Sequence, residues 1–219
     1  TDTASMRLFC CLFLFFCYIA LCLGSKHQIT SLPGLAEMPS FKNWAGYITV
    51  NKTLGKEYYY WFVESQNDPS TDPVLLWLQG GPGCSGLLGF WQENGPFRIQ
   101  TNGTITENPL SWNKKANMIF LEQPAGVGFS YSTSPAGYQT NDNQTAADNY
   151  QFVQGWFNEF PEYKSNEFWL TGESYAGVYI PTLANEILDG PDTQLLSQFQ
   201  GFMLGNPVIH CPAWIQEAN

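Results

Sequence analysis

Basic residues are scarce in this chain: nine Lys and Arg in 219 residues, against nineteen Asp and Glu, for a formal charge of −10. So little positive charge excludes binding to nucleic acid through phosphate contacts. Charged residues of either sign reach only 13%, while aromatics make up 16%. That much apolar surface can offset the entropy of ordering, so the chain does not read as disordered. Histidine occurs twice, at His27 and His210, and no Cys/His cluster has metal-ligand spacing, so nothing calls for a metal or a cofactor. Beyond residue 25 no apolar run is long enough to span a membrane. The length suits one domain.

The first 25 residues read as an address. Thr1–Ser5 stand ahead of a start at Met6, and Arg7 precedes an apolar run from Leu8 to Leu23 that ends at Gly24-Ser25. Those 16 residues fall short of the about 18 of a spanning helix, which favours a cleaved secretory signal peptide. Four of the six cysteines (Cys10, Cys11, Cys17, Cys22) leave with it. Cys84 and Cys211 remain, in a compartment that permits a disulfide. Glycosylation sequons begin at Asn51, Asn102 and Asn143, which fits a secreted glycoprotein.

Residues 26–219 alternate strand and helix patterns. Trp44–Val50 and Glu57–Val63 read as an antiparallel pair about a turn at Asn51–Gly55. Val74–Leu78 and Asn117–Leu121 are short, unbroken apolar runs of the kind found in buried parallel strands. Ala147, Tyr150, Val153, Trp156 and Phe157 have helical spacing within Gln144–Phe160, and Pro161 stops that helix. Phe168–Leu170 and Phe199–Leu204 read as further strands, with a helix over Tyr179–Leu188 between them. The pattern predicts an α/β domain with a mostly parallel central sheet.

The chemistry is expected at Gly172-Glu173-Ser174-Tyr175-Ala176-Gly177. A strand, a tight turn carrying Ser, and then a helix make a nucleophile elbow, and small residues flank the Ser because the two backbones crowd there. Gly172 and Ala176 are those flanks, Ala176 standing where Gly is commoner. A Gly-Ser turn of this kind is often only a turn, so a second element matters. Gln79-Gly80-Gly81-Pro82-Gly83 follows a buried strand, and glycine lets backbone N–H groups approach a developing oxyanion. A phosphate-binding loop would need a Lys that is not there.

Taken together, WLQGGPGCSG, FLEQPAGVGFSYS and TGESYAGVYIPTLA resemble the serine carboxypeptidases, with support from ITSLPGL, WFNEFPEY and FMLGNP, over about Ile29 to Pro207. The resemblance implies an α/β-hydrolase fold that is C-terminally incomplete. It implies Ser174 as nucleophile and the N–H groups of Gly81 and Tyr175 as the oxyanion hole. It further implies that Trp77, Gln79, Gly80, Glu93 and Glu173 recognise the free C-terminal carboxylate of a peptide or protein. Most members have Asn where this chain has Gln79. It also implies that Cys84 pairs with a later cysteine; Cys211 is the one candidate here, and its position does not match well.

Two neighbouring carboxyls cannot easily both ionise, so a Glu93–Glu173 pair holds a proton and can donate it to a chain end, favouring activity in acid. Glu93 read by itself is an exposed carboxylate at a helix end. A triad of this fold runs Ser, acid, His, yet His27 precedes the fold and no motif surrounds His210. The expectation is therefore the N-terminal part of a longer enzyme, with the Asp and His beyond residue 219. The expected activity is a secreted or lysosomal/vacuolar carboxypeptidase working through an acyl-enzyme. An acyltransferase on the same scaffold and a non-catalytic secreted binding protein are the alternatives, and a homodimer stays open.

Overall fold

The computed structural model describes residues 26–209. The leader, His210 and Cys211 lie outside the described residues, as do the expectations attached to them. Ten strands are described: β1 (His27–Gln28), β2 (Asn43–Asn51), β3 (Lys56–Val63), β4 (Val74–Leu78), β5 (Phe97–Ile99), β6 (Ile105–Glu107), β7 (Asn117–Leu121), β8 (Tyr131–Ser132), β9 (Phe168–Glu173) and β10 (Phe199–Gly205). The helices are α1 (Asp142–Glu159), α2 (Ala176–Asp189) and α3 (Thr193–Gln198).

The main sheet runs in the order β1-β2-β3-β7-β4-β9-β10, with β8 pairing β3. Strands β7, β4, β9 and β10 are parallel; β1, β2 and β3 form an antiparallel flank. This is the mostly parallel α/β sheet expected. Alternation along each strand sorts the core onto the two faces. Val74, Leu76 and Leu78 of β4 and Ile119 and Leu121 of β7 pack with α1 and α2. Leu75, Trp77, Met118 and Phe120 face a second cluster with Phe41, Phe90 and Phe97. Both faces are covered, which is why these strands read as continuous apolar runs.

Helix α1 starts two residues earlier than expected, because Asn141 caps it by accepting the Gln144 N–H at 2.9 Å. Its buried stripe includes Ala146, with Ala147 only half-buried. A buried ion pair fastens the helix to the sheet: Lys56 Nζ of β3 lies 2.6 Å from Asp148 Oδ2, with both side chains at most 3% exposed. The Tyr58 hydroxyl and the Gln144 amide also donate to Asp148. Helix α2 starts three residues before the expected Tyr179, directly after the elbow. The small hairpin β5–β6 and strands β1 and β8 carry no clear pattern in the sequence; each has only two or three residues.

Candidate active site

Strand β9 ends at Glu173 and α2 begins at Ala176, so only Ser174 and Tyr175 make the turn. Ser174 sits at φ +58°, in the left-handed region that a non-glycine residue rarely adopts. The backbone around it is tied down. Ser174 N donates to Gly205 O at 3.0 Å, and Val208 N donates to Ser174 O at 2.8 Å. The flanking residues are small for a measurable reason. A Cβ on Gly172 would lie 2.7 Å from the Ala176 Cβ and 2.3 Å from Leu78 O. Position 172 must therefore be glycine, whereas Ala is accommodated at 176. The N-terminus of α2 faces the turn, where it favours negative charge.

Strand β4 neighbours β9 and delivers the glycine loop to the same sheet end. Gly80 presses on the elbow: a Cβ there would lie 2.6 Å from Tyr175 N and 2.7 Å from Ser174 Cβ. Gly81 follows at φ +118°, where a Cβ would lie 2.8 Å from Cys84 N and 2.9 Å from Gly83 N, so only glycine fits. The Tyr175 hydroxyl donates toward both Asp142 carboxylate oxygens, at 3.1 and 3.2 Å, and its ring packs on Tyr179 with centroids 5.1 Å apart.

Gln79 joins the acidic residues. The Trp77 indole N–H donates to Gln79 Oε1 at 2.8 Å, which turns the amide nitrogen outward. That nitrogen donates to Glu93 Oε1 at 3.1 Å and to Glu173 Oε1 at 2.8 Å. Trp77 and Gln79 are buried, and Glu93 and Glu173 are half-buried. Glu93 is thus not an exposed helix-end carboxylate: it closes a π-helical turn, Gly89–Glu93, that leans on Glu173. Burial raises its pKa, and the Glu173 charge adds to the rise; the Gln79 amide and the Arg98 guanidinium oppose it. Arg98 was not foreseen. It sits on β5, donates to the Glu93 carbonyl oxygen, and carries no motif that would betray it.

Other expected residues fall elsewhere. Among the described residues the one imidazole, His27, is exposed on β1, with β2, β3, β7 and β4 between it and β9. Cys84 is exposed and has no sulfur partner among them. Asn102 and Asn143 are exposed, and Asn51 is half-buried with its Oδ1 accepting Leu54 N–H at 3.0 Å. Among the described residues no group of three His, Cys, Asp or Glu could hold a metal. No helix among them is long and apolar enough to cross a membrane.

A family model described as serine carboxypeptidase matches residues 33–217. The chain belongs to the serine carboxypeptidase family. It is 52% identical over 182 residues to the lysosomal protective protein of Mus musculus, covering 83% of this chain and 37% of that protein. It is 44% identical over 189 residues to serine carboxypeptidase 1 of Hordeum vulgare, covering 83% and 38%. Among solved structures, a prohormone-processing carboxypeptidase from Saccharomyces cerevisiae, Kex1, superposes with a TM-score of 0.69 at 32% identity, covering 81% of this chain and 42% of that one. The fold is that of the α/β-hydrolases. The chain spans less than two fifths of the length of these curated relatives.

Proposed function

We propose that this chain is the N-terminal part of a serine-type carboxypeptidase that releases C-terminal residues from peptides through an acyl-enzyme. The observation that carries the reading is the meeting of Glu93 and Glu173 on one Gln79 nitrogen, beside Ser174. In acid, one member of such a pair keeps a proton and donates it to the substrate's terminal carboxylate, which seats the last peptide bond over the elbow. Ser174 Oγ attacks that carbonyl, and its proton passes to a base. The carbonyl oxygen becomes an oxyanion facing the N–H groups of Gly81 and Tyr175. The base returns the proton to the leaving nitrogen as the C–N bond breaks, which expels the terminal amino acid as the amine and leaves the acyl group on Ser174; water, giving its proton to the same base, then releases it.

Among the described residues the one imidazole, His27, stands on the opposite edge of the sheet, and we assign the base and its orienting acid to sequence beyond residue 219. We place the protein in the secretory pathway, destined for the extracellular space or for a lysosome or vacuole, with glycans at Asn51, Asn102 and Asn143.

The test has two parts. Sequencing the transcript past the codon for Asn219 should reveal an open frame supplying Asp and His. The full-length protein should hydrolyse a blocked dipeptide in acid and lose organophosphonate labelling on Ser174→Ala. A frame that closes without an imidazole, or no labelling of the native enzyme, refutes the reading. Gln79 stands where most members of the family have Asn, and the different reach of its longer amide favours a second reading, acyl transfer to an alcohol. Turnover of a donor ester with an alcohol acceptor, exceeding peptide hydrolysis, would select it.

A further inference from the structure

The Gly80–Cys84 loop has few holds of its own. Gly81 to Cys84 are exposed, and the turn closes on itself only through Cys84 N donating to Gly80 O at 3.0 Å. Yet an oxyanion donor misplaced by about 1 Å can cost on the order of a hundredfold in rate. Something outside the loop must fix it.

The carboxylate of Glu122 is placed to do so. It lies just past the end of β7, only 1% exposed, and among the described residues no Lys, Arg or His is a partner of its carboxylate. One oxygen accepts the Ser85 hydroxyl; the other accepts the Phe129 N–H at 2.5 Å. Ser85 is the residue directly after the loop, and its Oγ also accepts Leu87 N–H at 3.1 Å. Gly86 is pressed against the same strand end: a Cβ there would lie 2.1 Å from Leu121 O. Glu122 itself is held by its backbone, its N–H donating to Tyr59 O at 3.0 Å and its carbonyl accepting the Ser130 hydroxyl at 2.6 Å. Burial raises the pKa of the Tyr179 hydroxyl, one helical turn beyond the elbow, and the Gly83 backbone at the opposite side of the loop opposes that rise. The proposed chemistry uses neither Glu122 nor Tyr179.

We infer that Glu122 is a positioning residue: through Ser85 it anchors the far end of the glycine loop, so that the Gly81 N–H stays aimed at the oxyanion. This rests on the carboxypeptidase reading above. The experiment compares Ser85→Ala, Glu122→Gln and Tyr179→Phe in the full-length protein. Ser85→Ala removes the loop's tie, together with the Leu87 N–H contact of the same hydroxyl, and leaves Phe129 bound to Glu122. In Glu122→Gln the amide oxygen can still accept the Phe129 N–H, and the amide nitrogen can donate to Ser85 Oγ. Each variant is assayed for kcat, KM, affinity for a peptide phosphonate that mimics the tetrahedral state, and thermal midpoint.

Ser85→Ala should lower kcat about tenfold with KM within about twofold, and phosphonate affinity should fall by the same factor. Glu122→Gln should keep most of both, and Tyr179→Phe should resemble Ser85→Ala. Native kcat in Ser85→Ala, or a drop in thermal midpoint without a matching loss of phosphonate affinity, overturns the inference. If Ser85→Ala fails to fold, Ser85→Cys, whose thiol is a weaker donor, decides it by the same criteria. An inactive wild-type enzyme would instead overturn the carboxypeptidase reading.

Discussion

Replacing Glu93 by Gln isolates the proton that the acidic pair shares. The Gln79 nitrogen holds the two carboxylates at 3.1 and 2.8 Å, and burial together with the Glu173 charge raises the Glu93 pKa. Below that raised value, protonated Glu93 donates to a substrate carboxylate; above it, the substrate meets another negative charge. A hydrogen bond to a charged group contributes about 1.5–3 kcal/mol, or about ten- to a hundredfold in affinity. Glu93 is only half-buried and Arg98 opposes the rise, so the lower end applies: KM of the native enzyme should climb about tenfold from acid to neutral pH. The amide cannot ionise and can donate at every pH. Its KM should stay within about threefold over the same range, while kcat follows the native profile. Steady-state kinetics of the full-length protein on a blocked dipeptide across that pH range checks this. A KM that climbs as steeply in Glu93→Gln as in the native enzyme would refute the shared-proton argument. Stability carries the same sign. A carboxyl whose pKa is raised on folding contributes stability that is present in acid and lost as pH rises through the raised value. Glu93→Gln should therefore gain on the native protein in urea unfolding as pH increases.

Two further outcomes follow from the geometry. Ser174→Ala and Ser174→Gly should both be inactive, but the glycine variant should be more stable than the alanine variant by about 1 kcal/mol, because φ +58° costs a residue with a Cβ; equal urea midpoints would contradict the strained elbow. Asp148→Ala leaves Lys56 buried without its counter-charge and should cost about 3–5 kcal/mol, whereas Lys56→Met with Asp148→Leu should cost less, about 1–3 kcal/mol, because there only the buried Tyr58 hydroxyl loses its acceptor. Urea unfolding of the two separates a buried-charge penalty from lost packing.

Much of the fold can be read in the sequence because its signals are local. The unbroken apolar runs Val74–Leu78 and Asn117–Leu121 announce strands covered on both faces, and that is where they lie. The helix ends were less legible. Asn141 caps α1 through a hydrogen bond that the apolar spacing does not mark, and α2 begins at the elbow itself. Hairpin β5–β6 is too short to show a period, so Arg98, which it carries beside Glu93, was missed with it.

The order of residues along the chain was enough to name the elbow, the glycine loop and the family motifs, since each is a run of neighbours whose spacing is itself the requirement. Only the tertiary structure brings Glu93 and Glu173, 80 positions apart, onto one Gln79 nitrogen, and fastens Ser85 to Glu122. Those meetings depend on β4 lying between β7 and β9, an arrangement that sheet pairing and burial of both faces select jointly and that no short stretch of sequence encodes.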